Sequence, residues 1–72
     1  MASTITIYMP LLDEGVEVWR PVQAESLGEN RFRICENTPE DEVWEFGSGE
    51  VVRCVRRTFQ DGTVGLVPIE RL

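Results

Sequence analysis

The sequence predicts an all-β fold: one small domain closed from about five antiparallel strands. Three tight-turn signals carry this prediction, Asp13-Glu14-Gly15, Leu27-Gly28-Glu29-Asn30 and Gln60-Asp61-Gly62-Thr63. Each separates runs rich in Val, Ile, Thr and aromatic residues, and turns this short join neighbouring antiparallel strands. Length points the same way. A chain of 72 residues makes one domain, 1–72, and such a chain buries only ~60% of its unfolded surface. Closing a sheet on itself covers one face and removes exposed edges, which suits that limit. An apolar share of 42% separates the chain from disordered sequences.

The first strand is expected over residues 3–9, with Ile5, Ile7 and Met9 on one face and Thr4, Thr6 and Tyr8 on the other. Pro10 cannot donate to a ladder and should end the strand or sit at an edge. The second strand starts at Val16. Val16, Val18, Val22 and Ala24 face one way, and Glu17, Trp19, Pro21 and Gln23 the other. Pro21 signals a bend, a bulge or an edge. The third strand covers Arg31 to Glu36, with Phe32 and Ile34 inward and Arg31, Arg33 and Cys35 opposite.

Residues 37–49 break the alternation. Thr38 before Pro39 matches a helix start, because threonine can cap an orphan N–H and proline is tolerated at the first helical position. One short helical turn over residues 39–45 is expected, with an irregular loop as the alternative. Glu50 to Phe59 form the fourth strand, whose two incomplete apolar faces imply a bulge near Cys54 or Val55. Asp61-Gly62 is the strongest hairpin signal. It leads into a last strand, Thr63 to Glu70, carrying Val64, Leu66, Val67 and Ile69.

Net charge is −6, from thirteen carboxylates and seven bases, with histidine absent and every base an arginine. This acidity disfavours a general affinity for nucleic acid or anionic membranes. A basic leader and a long apolar stretch are both missing near Met1, so a cytoplasmic location without membrane insertion is expected. Cys35 and Cys54 are too few for a secreted disulfide scaffold, and without histidine they do not complete a metal site. Whether they pair is open. Ser3, Ser26 and Ser48 have no histidine to activate them, and neither thiol has an obvious base. An enzyme is not expected, and no cofactor is implied.

Three constellations remain. From Glu36 to Glu50 there are six carboxylates and no base, interleaved with Val43, Trp44 and Phe46. Charges can steer a basic partner while aromatic rings supply affinity. Glu40, Asp41, Glu42, Trp44 and Glu45 are therefore candidate partner-binding residues; a solvated loop with Trp44 and Phe46 folded inward is the alternative. Glycosidase chemistry needs a cleft that so short a chain can hardly build, and the acidic spacing is not that of a calcium loop. Arg31, Arg33, Arg53 and Arg57 form the second constellation, able to touch phosphate or an acidic peptide, or to pair across strands with Glu17 or Glu50. Trp19 is the third. Simple alternation exposes it, as in a ligand groove, although the Pro10 to Leu12 segment could cover it.

The strand order, the stretch Glu14-Gly15-Val16-Glu17-Val18-Trp19 and Gly49-Glu50-Val51-Val52 before a long strand resemble an SH3-like small barrel. Tyr8 to Arg20 is also similar to small uncharacterised bacterial proteins of comparable length. The run of tyrosines typical of SH3 peptide-binding domains is absent, so proline-rich peptide binding does not carry over. Related Tudor and KOW barrels bind modified peptides or RNA, but no aromatic cage or basic loop supports either activity here. Fold analogy alone does not assign function. The expected function is a non-catalytic module that binds a basic protein surface through its acidic segment, in its sharpest form as a nucleic-acid mimic. The alternatives are an arginine-faced nucleic-acid binder and a structural homo-oligomer subunit.

Overall fold

The computed structural model describes residues 3–14 and 18–72. Strands β1 (Thr4–Pro10), β2 (Trp19–Gly28), β3 (Arg31–Ile34), β4 (Val51–Thr58) and β5 (Val64–Arg71) form one antiparallel sheet in chain order. The end strands β1 and β5 lie against each other, so the sheet curls into a small barrel-like domain. The predicted all-β class and its five strands are thus present. The face assignments of Val16 and Glu17, and the Gly15 position of the first turn, lie outside the described residues.

Period-two alternation places the core. Ile7 and Met9 of β1, Val22 and Ala24 of β2, and Phe32 and Ile34 of β3 all point inward, joined by Val52 and Cys54 of β4. Pro10 is the last residue of β1, paired with Trp19, and Pro21 sits where β3 no longer reaches β2, since that pairing starts at Ala24. The missing proline N–H therefore costs no second ladder. Beyond Ala24 the edge of β2 is covered by other means: the Cys35 N–H donates to the Gln23 carbonyl and the Glu36 carboxylate accepts from the Gln23 N–H.

Turn chemistry and bulges set the register. Glu29 and Asn30 both have positive φ, 56° and 63°, the pattern of a two-residue turn whose twist matches the flanking strands. In the β2–β3 pairing Ser26 faces Phe32 and Gly28 faces Arg31, leaving Leu27 as the extra residue. In β4–β5 the shift falls between Arg53 and Cys54, near where the sequence placed a bulge, but the extra residue is Ile69 of β5. Leu27 and Ile69 are accordingly exposed, and Val67 and Pro68 are buried in succession.

Residues 36–50 correct one expectation: they contain no helix. A single turn, closed by the Glu42 N–H on the Pro39 carbonyl at 3.2 Å, replaces the helical turn. The chain then runs beside the end of β1 and bends at Glu45 and Phe46. Trp44 bridges to Leu11, the Leu12 N–H donates to the Val43 carbonyl and the Glu45 N–H to the Pro10 carbonyl. Pairing at Trp44 and the bend that follows at Glu45 and Phe46 put both rings into the core, whereas a helix would turn them apart. The Trp and Phe rings decide the conformation.

Cys35 follows β3 on its outer face and Cys54 is buried, and both are free thiols. Burial pushes the Cys54 thiol up to about 11, which makes it an inert core residue.

Candidate functional site

The acidic segment divides into carboxylates that hold the fold and carboxylates that face solvent. Glu42 accepts from the Arg20 guanidinium at 2.9 Å and from the Trp44 indole N–H at 2.8 Å. Glu50 accepts from Arg71 and from the Gly47 N–H, and these donors keep its carboxyl below the usual carboxylate range. Glu36 caps β2 as described above. Glu40, Asp41 and Glu45 are exposed, and among the described residues their carboxylates make no ion pair. Next to them Leu12 and Val43 are exposed at 43% and 46%. They are neighbours, because the Leu12 N–H meets the Val43 carbonyl at 2.7 Å. Exposed Asp13 and Glu14 continue the acidic border. The result is a small apolar centre with a carboxylate rim, mounted on a segment fixed by Trp44 and Phe46. Trp44 is a core residue at 7% exposure and is not available as a surface anchor.

The arginines are largely spoken for. Arg33 pairs with Glu25, Arg53 with Glu70 and Arg71 with Glu50, while Arg31 reaches Glu29 at 3.9 Å and donates to the Gly28 carbonyl. Arg31 and Arg53 are cross-strand neighbours, so two of the candidates do share a face, but each has a carboxylate beside it. Arg57 is elsewhere. Its guanidinium lies 4.9 Å from the Trp19 ring centroid, a cation–π contact.

That contact belongs to a cleft lined by two of the sequence-predicted candidates, Trp19 and Arg57, which the sequence had not brought together. Phe59 meets Tyr8 edge-on at 5.2 Å and Trp19 at 5.6 Å between ring centroids. These rings, with Gln60, Asp61 and Thr63, line a cavity of about 710 Å³. Tyr8 and Trp19 come from the outer faces of β1 and β2, and Phe59 from the residue just past β4. Gly65 makes the approach of β5 feasible, since a Cβ there would stand 2.5 Å from two Tyr8 ring carbons. At the cleft mouth Asp61 accepts from the Thr63 hydroxyl at 2.7 Å and its N–H at 3.0 Å, which holds the carboxyl below its usual range. Neither the Tyr8 hydroxyl nor the Trp19 indole N–H has a hydrogen-bond partner among the described residues, unlike the Trp44 indole. Three half-buried aromatic residues give the cleft an apolar wall, and two of them carry donors that have no partner among the described residues.

Trp19 was visible in the sequence through strict alternation. Tyr8 carried the same signal, as an aromatic residue on the threonine face of the first strand. Phe59 gave none, because its partners Tyr8 and Trp19 come from the first two strands, far back in the chain. No helix of the described residues is long and apolar enough to cross a membrane, and no group of His, Cys, Asp and Glu among them could hold a metal ion. Comparison with protein-family models, curated proteins and solved structures finds no match.

Proposed function

We propose that this protein is a non-catalytic interaction module, an SH3-like barrel that binds a basic segment of another protein through the acidic segment and its apolar centre. One observation carries the reading: Glu40, Asp41 and Glu45 stay exposed around Leu12 and Val43 while the segment bearing them is anchored in the core. A rim of like charges held rigidly around a desolvatable centre steers a complementary partner and loses little entropy when it binds. The chain's net charge of −6 adds to that steering. Trp19 serves as a second anchor. Nucleic-acid binding by Arg31, Arg33, Arg53 and Arg57 is the weaker reading, because carboxylates of the same molecule already stand beside the first three. A homo-oligomeric role has no particular observation in its favour.

The test compares wild type with a Glu40→Lys/Asp41→Lys/Glu45→Lys variant as baits in a pull-down from cell extract. Glu42 is left intact because it braces Arg20 and Trp44. A basic protein retained by wild type and lost by the folded variant supports the reading. Equal retention by both baits refutes it.

A further inference from the structure

The Tyr8–Trp19–Phe59 cleft and the acidic patch belong to one continuous face. Pro10 pairs with Trp19 across the β1–β2 ladder, and on its other side the Pro10 carbonyl accepts from the Glu45 N–H. Trp44 and Phe46 point inward, so Glu45 between them points outward, as Pro10 and Trp19 do. Trp19 and Glu45 are thus two ladder steps apart, about 10 Å. Leu12 and Val43 extend the row at one end, and Tyr8 and Phe59 at the other.

We infer that an extended peptide binds along this row, with an apolar or aromatic side chain in the cleft and its arginine or lysine side chains over Glu45, Glu40 and Asp41. This rests on the reading that the partner is basic, and it adds where the chain enters and what else it carries. Three features select a peptide. The cleft offers ring surface for a side chain. The Tyr8 hydroxyl and the Trp19 indole N–H are donors without a partner among the described residues, matched to backbone carbonyls of a chain lying across them. Arg57 is the one cation lining the cleft among the described residues, and Asp61 at its mouth with Glu45, Glu40 and Asp41 along the same face outnumber it, attracting basic side chains and repelling the phosphates of a nucleic acid that could otherwise stack its bases on the same rings.

A phage-displayed library of random dodecapeptides selected on the full chain tests this, followed by titration of the enriched sequence as a synthetic peptide. The expected peptide combines an aromatic or large aliphatic residue with nearby arginine or lysine. Tyr8→Phe, which keeps the ring and drops only the hydroxyl, should weaken it about three- to tenfold. Trp19→Ala should weaken it about thirtyfold or more. Glu40→Gln/Asp41→Gln/Glu45→Gln should weaken it and flatten its salt dependence. Loss with the glutamine variant but no effect of Tyr8→Phe or Trp19→Ala overturns the cleft inference and leaves the basic-partner reading standing. Indifference to all three variants, or selection of no peptide, overturns both. Equal affinity for a single-stranded oligonucleotide in competition also overturns the inference.

Discussion

Trp44 and Trp19 are the two tryptophans of this chain, and the fold uses them in opposite ways. Trp44 sits in the segment richest in carboxylates, yet its ring is core and its indole N–H is held by Glu42. Trp19 starts a strand among ordinary polar neighbours, yet it forms the wall of a cleft under Arg57 and Phe59. An acidic neighbourhood therefore says little about whether an aromatic ring is exposed. What decides is the side of the extended backbone on which the residue falls. Trp44 shares its side with Leu11 and Phe46, and Trp19 shares its side with Pro10 and Tyr8.

Removing each ring breaks the comparison most sharply. Trp44→Ala should lose about 3–5 kcal/mol, a large share of a small domain's stability. Trp19→Ala gives up mainly edge-on ring and cation–π contacts and should cost about 1 kcal/mol. Urea denaturation midpoints check both, and similar losses for the two would refute the assignment. Gly65→Ala should fall between the two, at about 1–3 kcal/mol of overpacking, because the added methyl meets the Tyr8 ring. Ring-current shifts of Tyr8 and Phe59 in the NMR spectrum should change while those around Trp44 do not.

Acid should act on the segment and spare the cleft rings. Glu50 titrates below the usual carboxylate range in the folded protein, held by Arg71 and then by the Gly47 N–H. A depressed carboxyl contributes stability that is fully present above its unfolded pKa and is lost as pH falls through the folded value. Stability measured from neutral pH into acid should therefore decline less steeply in Glu50→Gln than in wild type. An unchanged slope would remove Glu50 from the account.

Much of the fold was legible because alternation and turn residues are local signals. Ile7 and Met9, Val22 and Ala24, and Phe32 and Ile34 all fall inward as their spacing requires. Asp61-Gly62 and Glu29-Asn30 form the turns that their backbone freedom predicts. The helical turn over residues 39–45 failed for a non-local reason: Thr38 and Pro39 favour a helix start, but pairing of Val43 to Glu45 with Pro10 to Leu12 satisfies the backbone and buries two rings. Nothing within the segment announces that pairing. The cleft was half legible for the same reason. Alternation exposes Trp19 and Tyr8 together, whereas Phe59 joins them only because the β4–β5 hairpin folds back against β1.

Hydrogen exchange of the two indole N–H groups, followed by NMR on the wild-type protein, tests the division of roles most directly. The Trp44 N–H, shielded in the core and bonded to Glu42, should exchange slowly, and the Trp19 N–H orders of magnitude faster. Glu42→Gln should speed the Trp44 proton alone. Equal rates for the two indoles, or a faster Trp44, would contradict the placement of Trp44 in the core and Trp19 on the binding face.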